Sequence, residues 1–119
     1  MSPLAEAVYH ILRRQTSLAE PRITYAALAR ELRETADDFE YVTHRSRQLY
    51  SALCEVGAEC RRLGLPPLPA LVVRADTKRP GDAYYEGTCS GTISAGDRIA
   101  AWWRDLEAVK QARYPRRRR

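Results

Sequence analysis

Thr43-His44-Arg45-Ser46-Arg47-Gln48-Leu49-Tyr50-Ser51-Ala52-Leu53-Cys54-Glu55-Val56-Gly57-Ala58-Glu59-Cys60-Arg61-Arg62-Leu63-Gly64 runs directly into Leu65-Pro66-Pro67-Leu68-Pro69-Ala70-Leu71-Val72-Val73. In the first part Leu49, Leu53, Val56, Cys60 and Leu63 alternate spacings of four and three, which makes one apolar stripe on a 3.6-residue period. The spacing predicts a helix over 43–63, stopped by Gly64 and by the prolines behind it. Its opposite side carries His44, Arg47 and Ser51, then Cys54 and Ala58, then Arg62, with basic groups at the ends and small ones between. Such a side can lie close against a flat partner.

The second part ends in β-branched residues, so 68–73 is expected as a strand. Asp76-Thr77-Lys78-Arg79-Pro80-Gly81-Asp82 has the composition of a turn, and 83–86 is expected to return as a partner strand. A helix followed by a hairpin with a charged tip is the plan of a winged helix. Before it, Ser2-Pro3 reads as a helix cap with proline at the first helical position, opening a helix over 3–15 with Leu4, Val8, Ile11 and Leu12 on one face. Thr24 caps a second, short helix carrying Tyr25, Leu28, Ala29 and Leu32, to about residue 34. The acidic stretch 34–40 is the turn between helices. The glycine-rich stretch 87–96 lacks a phosphate-loop pattern and reads as a loop. Ile99, Trp102, Trp103, Leu106 and Val109 define a last helix that closes the core, with one of the adjacent tryptophans buried and the other partly exposed. The expected fold class is therefore mainly α with a small β-hairpin, a winged helix-turn-helix with an additional C-terminal helix.

The chain of 119 residues is long enough for one core and too short for two ordinary ones. The expected division is a body over 1–112 and a basic, disordered tail over 113–119. Of the net charge of +5, Arg113, Arg116, Arg117, Arg118 and Arg119 supply the whole: residues 1–112 hold fifteen Lys or Arg against fifteen Asp or Glu. The basic balance thus belongs to the tail, and only local clusters on the body argue for a polyanion partner. There is no run of eighteen apolar residues and no charged-then-apolar leader, so neither a membrane span nor a secretion signal is expected and the cytosol is the expected compartment. Three cysteines without a C-x-x-C pair suggest neither a disulfide framework nor a zinc site. His10 and His44 stand beside no nucleophile or second ligand in any motif, so no metal, no cofactor and no enzymatic activity are expected.

The order Ile23-Thr24-Tyr25-x-x-Leu28-Ala29, a helix with small exposed residues, the 68–73 run, Gly81-Asp82-Ala83-Tyr84 and a tryptophan-bearing helix resembles the DNA-binding domain of alkylguanine-DNA alkyltransferases and their alkyltransferase-like relatives. The resemblance spans about residues 20–110, and its one close motif is the first. It implies a winged helix-turn-helix whose third helix enters the minor groove. The family's enzymes carry Pro-Cys-His-Arg, with the alkyl-accepting cysteine, where this chain has Ala70-Leu71-Val72-Val73-Arg74. With no cysteine there, alkyl transfer is not expected.

Two functions remain open at this point. In the first the chain is a small non-enzymatic protein that binds double-stranded DNA, with a regulatory role open to it: Arg45, Arg47, Gln48 and Ser51 approach the duplex from helix three, Lys78 and Arg79 hold phosphates from the wing, and Arg116, Arg117, Arg118 and Arg119 add sequence-independent attraction. In the second it is a protein-interaction module, such as a bacterial or phage adaptor, antitoxin, immunity or inhibitor protein, docking through the mixed charges, seven tyrosines and twin tryptophans of its body. The discriminating feature is whether the arginines of helix three and the wing share one face.

Overall fold

The computed structural model describes residues 1–81, 84 and 97–116. Its elements follow from local chemistry. Helix α1 (Pro3–Gln15) starts where the Ser2 side chain accepts a hydrogen bond from the Ala5 amide and Pro3 needs none, and it ends on Arg13 and Arg14, which suit the negative end of a helix dipole. Helix α2 (Tyr25–Thr35) is capped in the same way, the Thr24 side chain accepting from the Ala27 amide at 3.1 Å. A 3-10 turn, Asp37–Phe39, occupies the acidic stretch between helices.

Helix α3 (Arg47–Arg62) is shorter than its apolar stripe suggests. The Ser46 hydroxyl is bound by the Thr43 amide at 2.8 Å, and the Ser46 amide donates back to the Thr43 carbonyl. Residues 43–46 are thereby held in a turn of their own, and Arg45 precedes the helix instead of riding on it. At the other end Gly64 takes φ +70°, and the Leu65 amide reaches back to the Cys60 carbonyl at 2.8 Å. This is the left-handed stop that glycine favours.

The strand expectation is corrected. Leu68–Leu71 is a buried 3-10 turn, and only Val72–Val73 (β2) is extended. β2 pairs in parallel with Ile23–Thr24 (β1), Ile23 opposite Val72 and Thr24 opposite Val73. The physical reason is burial: Val72 and Val73 lie in the core, where their backbone groups need partners, and β1 supplies them. Of the expected return strand 83–86, Tyr84 is helical and the other positions lie outside the described residues, as does the glycine-rich stretch 87–96. The turn after β2 is closed by the Arg74 amide donating to the Arg79 carbonyl at 2.8 Å, with Lys78 at φ 60°.

Helix α4 (Arg98–Gln111) buries Ala101, Trp102, Leu106 and Val109. Trp102 is sealed in, its indole N–H donating to the Ala70 carbonyl at 2.9 Å, while Trp103 is 46% exposed. Ile99, expected in the buried stripe, faces outward. The core is built chiefly by α1 packed on α3, with the 68–71 turn inserted against α1, α3 and α4. Tyr114 joins that core although it lies in the segment read as tail: its hydroxyl donates to the Pro66 carbonyl at 2.6 Å, and Tyr9 donates to the Pro115 carbonyl at 2.6 Å. Among the described residues no helix is long and apolar enough to cross a membrane.

Candidate functional site

The parallel pairing of β1 with β2 brings together two turns that are far apart in sequence: 43–46, which leads into α3, and 74–81, which follows β2. Between them lies a cleft of about 540 Å³ lined by His44, Arg45, Arg74 and Asp76, with Tyr25 and Tyr50 among its walls. The aromatic rings stand 5.6 Å apart at 42° and each phenol fastens one turn. Tyr50 donates to the His44 carbonyl at 3.0 Å, and the Tyr25 oxygen accepts from the Gly81 amide at 3.2 Å. Both turns are thus tied to helices, and the cations they carry are presented from fixed backbone.

Arg74 and Asp76 form a two-pronged pair, with Nε and Nη2 each 3.1 Å from a carboxylate oxygen. The guanidinium beside it, with the Thr77 amide, holds the Asp76 carboxyl below its usual range. His44 and Arg45 face the same cleft, and among the described residues Asp76 is the carboxylate in its lining. Lys78 and Arg79 belong to the same hydrogen-bonded turn as Arg74 and are exposed. The cleft therefore gathers cations from both sides around an aromatic wall.

The other candidates on α3 do not join it. Arg47, Gln48 and Ser51 line a second cleft, of about 620 Å³, whose further walls are Ser2, Pro3, Leu4, Asp38, Phe39, Tyr41 and Glu55. Glu55 is engaged there by the N-terminus of α1, accepting from the Ser2 amide at 3.0 Å and the Ser2 hydroxyl at 2.8 Å. Two carboxylates thus stand with Arg47, so this cleft is mixed in charge. Arg116 is exposed at the end of the docked segment, and Arg117, Arg118 and Arg119 lie outside the described residues.

Sequence reasoning divided the basic residues by element, α3 against wing, whereas the structure divides them by cleft. It named Arg45, Lys78 and Arg79, of which Arg45 lines the first cleft, and it did not name Arg74, Tyr25 or Tyr50 as neighbours of that cleft. The only local signal for Arg74 was its place directly after a buried strand. The two described cysteines do not line this site: Cys60 lies within the core, where burial pushes its thiol up, and Cys54 is half-buried on α3. Comparisons with protein-family models, with curated proteins and with solved structures found no match to this chain.

Proposed function

We propose that the chain binds double-stranded DNA through the first cleft and the turn beside it, without catalysing a reaction on it. The observation that carries this reading is the convergence of Arg45 and Arg74, from two turns separated in sequence, on one cleft with His44 and an aromatic wall. Phosphate contacts need cations held in register, and both turns are tied down by tyrosine hydrogen bonds. Lys78 and Arg79 extend the basic edge along the 74–79 turn. Helices α2 and α3 act here as the supports of the cleft, through Tyr25 and Tyr50, and the resemblance to alkyltransferase-like DNA-binding domains supports the use of the Ile23-Thr24-Tyr25 segment at the interface. In place of a hairpin wing, the turn after β2 supplies the flanking contact.

Arg47 of α3 does not share a cleft with the turn after β2, which favours a second reading, and the mixed charge of the second cleft suits protein docking at that face, with exposed Tyr41 as its aromatic contact and Arg47, Gln48 and Ser51 as polar ones. The two readings make different demands on Arg47.

Fluorescence anisotropy of a labelled duplex, titrated at salt between about 50 and 200 mM, separates them. Arg45→Ala and Arg74→Ala are expected to weaken binding on every duplex sequence and to lower the log–log salt slope by about 1 each. Arg74→Ala should have the larger effect, because it also leaves Asp76 unopposed in the cleft. Arg47→Ala should bind as the parent does. Unchanged binding by the Arg45 and Arg74 variants, or loss with Arg47→Ala alone, would remove the first cleft from the account.

A further inference from the structure

No residue lining the first cleft comes from α1 or from the last described segment, yet these two are fastened to each other. Arg13 donates from Nε to the Tyr114 carbonyl at 2.8 Å, Tyr9 donates to the Pro115 carbonyl, and the Tyr114 ring is sunk in the core. Residues 113–116 are therefore a strap against α1, two of its backbone carbonyls held by Tyr9 and Arg13.

The two segments that carry these bonds are rich in positive charge. Residues 8–16 and 108–116 together contain Arg13, Arg14, Lys110, Arg113 and Arg116 and neither aspartate nor glutamate. That is unlike the body as a whole, which is formally balanced. Arg14, Arg113 and Arg116 are exposed. Two acids meet these cations among the described residues: Glu31 of α2 lies 4.0 Å from Arg14, whose side chain stays 67% exposed, and Glu107, on α4 itself, pairs with Lys110 at 3.3 Å. Glu20 also feels Lys110, but its own carboxylate is held by Arg22.

We infer that the C-terminal end of α1 and the docked residues 113–116 form a second surface for the phosphate backbone of nucleic acid, with Arg14, Arg113 and Arg116 as its contacts. This rests on the reading above in one respect, that the partner is nucleic acid. The chemistry of the surface favours phosphate over a protein partner. Its aromatic residues, Tyr9 and Tyr114, point inward and are buried, so it offers cations with no exposed aromatic anchor. Protein interfaces draw their binding energy from such anchors, whereas a phosphate backbone requires only positioned donors. The strap also changes what the basic terminus does. Arg113 and Arg116 sit on backbone that is already ordered by Tyr114 and Pro115, so binding orders two side chains and leaves the chain path as it was.

The test uses the full chain and labelled duplex DNA in the same salt titration. An Arg14→Gln/Arg113→Gln/Arg116→Gln variant is compared with an equal-charge control, Arg30→Gln/Arg61→Gln/Arg104→Gln, whose residues are exposed on α2, α3 and α4. Thermal melting of both checks that each folds. The strap variant is expected to lose about 2–3 from the magnitude of the salt slope, at about 0.9 per phosphate contact, and the control less than 1. In an Arg45→Ala/Arg74→Ala background the strap substitutions should remove the residual binding. If strap and control variants lose the same amount, the effect is one of net charge and the surface is refuted. If the cleft variant loses binding and the strap variant does not, the surface fails while the cleft stands. The reverse pattern keeps the surface and removes the cleft. Absence of duplex binding by the parent chain at about 50 mM salt would overturn both.

Discussion

Tyr114 shows how one residue outside any regular element can fasten the fold. Its ring is 6% exposed, its hydroxyl donates to Pro66, and its carbonyl receives Arg13. Burial pushes the phenol well above its ordinary range, with nearby Cys60 and Tyr9 adding to the shift. A raised pKa in the folded state means that only the neutral form fits, so this contribution is complete below about pH 10, the value of an unfolded tyrosine, and is lost as pH rises through the higher folded value. Cys60, also raised by burial, adds to the same alkaline loss from about pH 8.5 upward. Tyr114→Phe should cost about 1 kcal/mol at neutral pH, because the Pro66 carbonyl loses its donor, and should make the decline above about pH 10 shallower than the parent's. Urea unfolding at neutral pH and at about pH 10.5 measures both effects; an alkaline decline equal to the parent's would show that Tyr114 does not titrate with unfolding. The role of Tyr114 was invisible in the sequence because it follows the last apolar repeat of α4 and precedes a run of arginines. Nothing local distinguishes it from a tail residue, and only its contacts with Pro66 and α1 do.

Among elements, the ends of helices are the features that local chemistry specifies best. Ser2-Pro3, Thr24 and Gly64 were legible as caps, because a cap is an interaction within three or four residues of itself. Gly64 is the clearest of them: a Cβ there would meet nothing within 4 Å, so the only objection to a side chain is its φ of +70°. Gly64→Ala should therefore cost about 1 kcal/mol with no repacking, and Gly64→Asn less, read as shifts of the denaturation midpoint at constant m-value. A loss of several kcal/mol would mean that the chain reversal after α3 depends on more than backbone conformation. The start of α3 was misplaced by four residues for an equally local reason. Ser46 has the right chemistry for a cap, but its hydroxyl is spent on the turn before the helix. The strands were legible only as apolar, β-branched residues. Their pairing was not, because two-residue strands leave no alternation to read, and the charged stretch after β2 has the composition of a hairpin tip while closing a turn on itself.

For the molecule as a whole, the division into a body and a basic end falls later than composition suggests. Ending the chain after Ala112 removes a buried tyrosine and three hydrogen bonds, and it leaves the Tyr9 hydroxyl and the Pro66 carbonyl without these partners. The expected cost is about 3–5 kcal/mol, from roughly 2 kcal/mol of ring burial and the orphaned polar groups. Ending it after Arg116 should leave the melting temperature within about 2 °C of the parent. If both truncations melt alike, the strap contributes nothing to stability. The candidate sites were half legible for a related reason. Composition located the excess charge, and single residues such as Arg45, Lys78 and Arg79 were within reach, but which cations meet was decided by tertiary pairing. That pairing also sets an order of events. β1 and β2 are separated by more than a third of the chain and consist of two residues each, so their ladder cannot hold before α2 and α3 have been placed around it. The first cleft is therefore expected among the latest features to assemble on folding. A peptide carrying 43–63, or one carrying 72–81, contains the charged residues without the geometry. A ligand bound at the first cleft would accordingly report completion of the fold, whereas helical content would report only its beginning.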